Sequence, residues 1–479
     1  MNSEKVLSFF KEITAIPRES GHEEHIIAYL QDFAAANNLE CKTDEAGNVL
    51  ITKEAAPGYE SVPTIVLQSH SDMVCEKNEG VEHDFAKDPI RYIIKDGWMI
   101  APDTTLGADC GIGVAAQMAM LVSDVPCGKI ECLFTTAEET GLDGAMALQS
   151  DFITGKVLLN LDSEDEGEIF VGCAGGLDTT AEFHYKNEAV QEDFELEEVF
   201  VKDAMGGHSG DDINKGRANA NKLLCRFLAR VADKYEFYLC DISGGSLHNA
   251  IPRDASAVFA VQSADKESVR VDFNLFAAEV QDEYSATEPN IRFTLQSTDP
   301  VARVIDPVVA GKLLRSVCAV FNGVFAMSQD VPGLVETSSN LASIKRTADN
   351  VLTITTSQRS SIESARDFVS YSVRSAFELA GAKVTTKGQY PGWKPNMKSE
   401  ILKVACDTYK QLFGEDAKIK AIHAGLECGL FLEKAPHLDM ISFGPTMRGV
   451  HSPDERLHIA STERWWRHLL LLLENAPAK

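Results

Sequence analysis

Apolar and polar positions along the chain follow two regimes. Up to about residue 175, and again after about 392, solid apolar runs alternate with stretches of helical period. The runs are Val49-Leu50-Ile51, Thr64-Ile65-Val66-Leu67, Ile130 to Thr136 and Lys156 to Asp162. Ser20-Gly21-His22-Glu23 spells a capping box, with Ile26, Ile27, Leu30 and Phe33 behind it at helical spacing, so a helix is predicted to about Ala35. Small apolar residues from Val114 to Val122 predict a second, tightly packed helix, and a short one follows near Leu142 to Leu148. Strand and helix patterns alternating in this way predict an α/β fold: a sheet, largely parallel at its centre, covered by helices.

The second regime begins after Gly175-Gly176, where alternation such as Thr179-Thr180-Ala181-Glu182-Phe183 replaces the solid runs. Strand-like segments at Val258 to Val261, Ile291 to Leu295 and Val351 to Thr356 are interleaved with helical ones at Ala218 to Ala232, Pro307 to Phe321 and Ser364 to Ala380. One or two α+β sandwiches inserted into the first domain are expected. Tyr390-Pro391-Gly392-Trp393-Lys394-Pro395 reads as the return linker. The α/β pattern then resumes: helix Ser399 to Phe413, strand Ile419 to Ile422, helix Leu426 to Leu432, strand Met440 to Phe443, and a closing helix after Ser461. The expected organisation is a catalytic domain in two parts, 1–184 and 393–479, interrupted by an insertion over 185–392.

At 479 residues the chain exceeds what one hydrophobic core supports. Its 45 basic against 72 acidic residues leave a net charge of −27, which argues against nucleic acid and anionic membrane as partners. Eleven scattered cysteines without a Cys-x-x-Cys pair favour neither disulfides nor a thiolate zinc site, and fit a reducing cytoplasm. No charged-then-apolar leader opens the sequence, and the five leucines from Leu469 to Leu473 are too few to span a bilayer. A soluble, unexported protein is expected.

Chemistry gathers at the predicted strand ends. His70 and Asp72 follow one strand, Glu138 and Glu139 another, and Asp162 a third; Asp109 sits where a glycine-rich loop becomes a helix, and His451 lies just beyond the last strand. In open α/β sheets ligands collect beyond the carboxyl ends of strands. Two imidazoles and three carboxylates suit two borderline divalent ions, zinc foremost, with cobalt or manganese as substitutes. If Asp109 bridges two Zn²⁺, with His70 and Asp162 on one and Glu139 and His451 on the other, three carboxylates and a hydroxide neutralise the four positive charges. Asp72 then accepts the other N–H of His70 and fixes its tautomer. Adjacent side chains on extended backbone point apart, so Glu138 is free to face the same cavity as a general base, activating a metal-bridged water and passing the proton to a leaving amine.

These motifs, His70-x-Asp72, Gly107-x-Asp109, Glu138-Glu139, Leu161-Asp162 and the late His451, resemble those of the dinuclear zinc exopeptidases and deacylases of the aminoacylase and carnosinase group. The likeness covers essentially the whole chain, and no ligand position departs from the pattern. It implies a zinc-exopeptidase-like mixed sheet flanked by helices, interrupted by an α+β lid. It further implies hydrolysis of short unblocked dipeptides, favouring Xaa-His substrates. On the lid, His208 in Gly206-Gly207-His208-Ser209 matches a histidine that polarises the scissile carbonyl, while Asn249 and Arg359 match positions holding the substrate's terminal carboxylate. Gly425 resembles a backbone contact in the pocket wall. Related enzymes often dimerise, so a homodimer is a further expectation. An N-acyl-amino-acid deacylase on the same scaffold, or a metal-binding relative without turnover, would carry the same donors.

Overall fold

The computed structural model describes residues 3–190, 192–299 and 303–476. The chain divides into two compact units: Met1–Gly172 with Trp393–Ala421 and Leu426–Lys479, and Cys173–Gly392 with Ile422–Gly425.

The first unit is built on an eight-stranded sheet. Its centre is four parallel strands in the order Ile130–Thr135, Ile65–His70, Val157–Asn160, Asp439–Ser442. All but one residue of these strands, Asp439, are buried, as expected of strands packed on both faces. The edges are antiparallel: Val49–Lys53 and Glu40–Thr43 flank Ile130–Thr135, and Glu168–Cys173 flanks Asp439–Ser442. The sheet is therefore mixed, and its parallel part is the part whose strand ends carry the candidate donors.

Helix Ala108–Leu121 is buried at every position but Asp109, because its alanines and glycines let it pack directly on neighbouring elements. The leucines at Leu469, Leu470, Leu472 and Leu473 belong to helix Ile459–Glu474 and are buried in the same core with Trp465 and Trp466. Among the described residues no helix is long and apolar enough to cross a membrane.

The second unit holds one nine-stranded antiparallel sheet rather than two sandwiches. Its helices Ala220–Lys234, Lys266–Glu283, Pro307–Ala319 and Glu363–Leu379 share a single core with the sheet. Side-chain caps start two of them where the sequence has Asn219 and Asp306-Pro307: Asn219 accepts the Lys222 N–H and Asp306 the Val309 N–H. The unit begins at Cys173, ahead of the expected 185, because strand Gly175–His184 pairs along its length with Val351–Ser360. Residues Ile422–Gly425 also group here, the Ala174 N–H donating to the carbonyls of Ile422 and Ala424.

Candidate metal centre

Parallel register brings the donors together. His70 ends its strand opposite Thr135, the last residue of the neighbouring one. The chain then turns through Ala137, whose φ of +49° is left-handed and whose N–H donates to the Glu23 carboxylate at 2.8 Å. This turn presents Glu138 and Glu139, whose backbone N–H groups donate to Asp72 Oδ1 and Oδ2 at 3.1 and 3.2 Å. Asp72 also accepts from Ser20 Oγ at 2.7 Å and lies 3.3 Å from His70 Nδ1. Burial opposes its ionisation, but the His70, Ser20 and Glu138 contacts prevail and hold the carboxyl well below the usual range.

The capping-box reading is thereby corrected. Helix Glu24–Ala36 starts without a side-chain cap, since Ser20 serves the buried Asp72 and Glu23 accepts the N–H groups of Gly21 and Ala137. His22 and His25 are exposed.

Asp109 lies between the two histidines. Its Oδ1 is 3.1 Å from His70 Nε2, and its Oδ2 is 3.1 Å from His451 Nε2. Each imidazole nitrogen meets a second carboxylate, Asp162 Oδ1 at 3.3 Å from His70 and Glu139 Oε1 at 2.9 Å from His451. His451 is delivered by the hairpin between Met447–Arg448 and Arg456–His458, at a left-handed φ of +60°.

Carboxylates outnumber the two imidazoles here. Burial, with Asp109 nearby, pushes the Asp162 carboxyl up to about 6. Burial also raises Glu138 well above the carboxylate range, reinforced by Asp162, Glu427 and Glu139 and opposed by His70. His451 is pushed up to about 11 by its contacts to Asp109 and Glu139. Asp162 Oδ1 and Glu139 Oε1 are buried and, apart from the ring nitrogens of His70 and His451, meet no hydrogen-bond donor among the described residues. A tetrahedral ion with bonds of about 2.0–2.1 Å separates its ligands by roughly 3.3 Å, close to the spacings found here. Excess negative charge, buried carboxylate oxygens and a nitrogen-and-oxygen donor set all fit a pair of borderline divalent cations.

Sequence reasoning missed a buried polar chain behind the donors. Glu427, at the start of helix Glu427–Lys434, accepts from Gln68 Nε2 at 2.6 Å and Thr135 Oγ1 at 3.0 Å. Gln68 in turn accepts from Asn160 Nδ2 at 2.6 Å. Burial pushes the Glu427 carboxyl up to about 8. The signal was present, since Gln68 and Asn160 each precede a candidate ligand by two residues, the period of a strand face. Cys110 also adjoins His70 and Asp162, and its thiol donates to the Leu161 carbonyl.

The remaining candidates lie in the second unit. His208 pairs with Ala250 across a two-residue ladder, and the Asn249 carbonyl accepts the Ser209 N–H at 2.8 Å. His208 Nδ1 lies 3.3 Å from the Asp211 carboxylate. Arg359 is buried, donates to Tyr390 Oη at 3.0 Å, and has no carboxylate partner among the described residues; its Nε has no acceptor. A Cβ on Gly425 would sit 3.1 Å from the Tyr390 ring, so Gly425 and Arg359 meet the same tyrosine.

The chain is similar to known proteins over its whole length. The chain is 41% identical over 480 residues to the cytosol non-specific dipeptidase of Escherichia coli strain K12, covering 100% of this chain and 99% of that protein. The crystal structure of aminoacylhistidine dipeptidase from Vibrio alginolyticus superposes with a TM-score of 0.92 at 41% identity, covering 100% of this chain and 98% of that one. A tripeptidase from Staphylococcus aureus shares the fold at a TM-score of 0.58 and 18% identity, over 99% and 98% of the two chains. Residues 66–475, which contain every candidate donor, match the profile of Peptidase family M20/M25/M40, and the chain belongs to that family.

Proposed function

We propose that this protein is a cytoplasmic metallodipeptidase, hydrolysing the peptide bond of short unblocked dipeptides with Xaa-His substrates favoured, and that it holds two divalent ions, zinc foremost. One observation carries the reading: the two oxygens of Asp109 face two different histidines, each joined by a carboxylate of its own. His70 and Asp162 would hold one ion and His451 and Glu139 the other, with Asp109 common to both. When bound, the ions supply Lewis acidity that brings the pKa of water to about 7 and polarises the scissile carbonyl.

The chain's own groups do the rest. Asp72 takes the Nδ1–H of His70 and fixes the ring so that Nε2 faces Asp109 and Asp162. Glu138 removes a proton from the attacking water and returns it to the leaving amine, a role suited to a carboxyl that burial holds well above the usual carboxylate range. In the second unit, His208 is assigned to the scissile carbonyl. The buried, unpaired guanidinium of Arg359 is assigned with Asn249 to the substrate's terminal carboxylate, and Gly425 to a backbone contact. The cytoplasmic assignment is supported by the name of the Escherichia coli relative.

The test is metal analysis with a panel of dipeptides and N-acetylated amino acids, before and after chelation. Dipeptide hydrolysis lost on chelation and restored by zinc or cobalt is expected. Hydrolysis of the acetylated amino acids alone would make the protein a deacylase instead.

A further inference from the structure

Two buried charged residues of the first unit, Arg18 and Glu455, belong to no donor set, and among the described residues neither forms a side-chain ion pair. Both are 2% exposed. Their partners are backbone. Glu455 accepts four successive N–H groups: Leu106 and Gly107 on Oε2 at 2.7 and 2.9 Å, Ala108 and Asp109 on Oε1 at 2.7 and 3.2 Å. Arg18 donates through Nη1 to the carbonyls of Ser71 and Asp72 at 3.2 and 2.8 Å, and through Nη2 to the carbonyl of Gly107.

The turn entering Asp109 is thus gripped from both sides, its N–H groups by a carboxylate and its carbonyl by a guanidinium. The turn leaves room for nothing else. Gly107 has a left-handed φ of +69°, and a Cβ there would lie 2.5 Å from Arg18 Nη2; at Gly111 it would lie 2.6 Å from the same atom. The glycines are therefore placed around the guanidinium.

The grip ties together segments far apart in sequence. Arg18 joins the backbone just after His70 to the Asp109 turn. Glu455, four residues beyond His451 and in the same hairpin connection, joins the His451 loop to that turn. Burying two charges is a costly way to stabilise a fold, since packed apolar side chains do as well or better. A carboxylate that spans four amides, with a guanidinium on a carbonyl of the same turn, does something apolar residues cannot: together the two fix the spacing of three loops.

We propose that Arg18 and Glu455 are positioning residues that set the separation of His70, Asp109 and His451 and so allow two cations to bind side by side. The inference rests on the reading of this cluster as a dinuclear metal centre. Glu455→Gln is the discriminating change, because an amide of the same shape keeps one acceptor oxygen and turns an NH₂ toward two backbone donors. Arg18→Lys is its counterpart, a point charge that cannot span three carbonyls.

The full-length protein and both variants, stripped by chelation, are titrated with Zn²⁺ against a chromophoric chelator and separately loaded with Co²⁺ for visible absorption. Wild type is expected to take two ions. Each variant is expected to keep its far-UV circular dichroism, to bind metal roughly 10- to 100-fold more weakly, and to show an altered cobalt spectrum, with kcat reduced more than KM is raised. Wild-type metal affinity and cobalt spectrum alongside a lowered melting temperature would overturn the proposal, leaving the two residues a structural role only. Should Glu455→Gln fail to fold, Glu455→Asp, with both acceptors on a shorter arm, carries the same comparison. A wild-type protein that takes up no ion would instead defeat the metal-centre reading, before any variant is compared.

Discussion

The carboxyl of Glu138 differs from its neighbours in that no hydrogen bond or ion pair engages it among the described residues, while Asp72, Asp109, Glu139 and Asp162 all contact a histidine. A group left free at such a site can change its proton without disturbing the donors. Glu138→Ala should therefore lower kcat by about 10²- to 10⁴-fold while metal content stays that of wild type, read by metal analysis beside steady-state kinetics. At Arg359, lysine keeps the charge but loses the planar fork. Arg359→Lys should raise KM roughly 10- to 100-fold for free dipeptides and have little effect on dipeptide amides, which lack the carboxylate. The candidate donors were legible in the sequence because His70, Glu139 and Asp162 stand just after apolar runs, whereas Arg359 was read only from the family resemblance. Arg18 and Glu455 were not legible, because their partners are peptide groups of distant loops, and no side-chain spacing records a bond to backbone. Ser20 was misread for a related reason: its local spelling fits a helix cap, but a buried aspartate competes for the same hydroxyl.

Helices and strands with a broad apolar face were readable, and those with a thin one were not. Helix Lys266–Glu283 buries only Val269, Phe273, Phe276 and Val280 among charged neighbours, and the sequence did not single it out. The closing helix, by contrast, announces itself with leucines and carries a buried histidine. His468 lies against Tyr409 and Phe443 and donates from Nε2 to the Ala405 carbonyl at 2.8 Å. Burial lowers its pKa to about 4, below the ordinary 6.5, so the folded protein holds the ring neutral. Between those values the unfolded chain binds the extra proton. The contribution is then complete above pH 6.5 and is lost as pH falls toward 4, by about 3 kcal/mol at most. His468→Gln, which can keep a donor to Ala405, should flatten the pH dependence of urea unfolding across that window.

Over the whole molecule, the two main hydrophobic cores of the described residues lie one in each unit, so a single unfolding step is not expected. All five candidate donors lie in the first unit. Each ion at about a hundredfold over its dissociation constant would stabilise that unit by about 2.7 kcal/mol, so two would add about 5 kcal/mol, or roughly 10–20 °C. Calorimetry should therefore resolve one transition that shifts down with chelator and one that does not. The division into two units was legible where solid apolar strands give way to alternating ones, but its boundary was not, since Gly175–His184 alternates beside the change and only pairing with Val351–Ser360 assigns it. The excursion of the chain from Cys173 to Gly392 also orders events in time. On the ribosome, His70, Asp109, Glu139 and Asp162 emerge early, whereas His451 and the strand Asp439–Ser442 emerge after the second unit has been made. A nascent chain at that stage has one of the two candidate imidazoles, so the proposed donor set, and any hydrolysis that depends on it, waits for residues 439–451 to be translated.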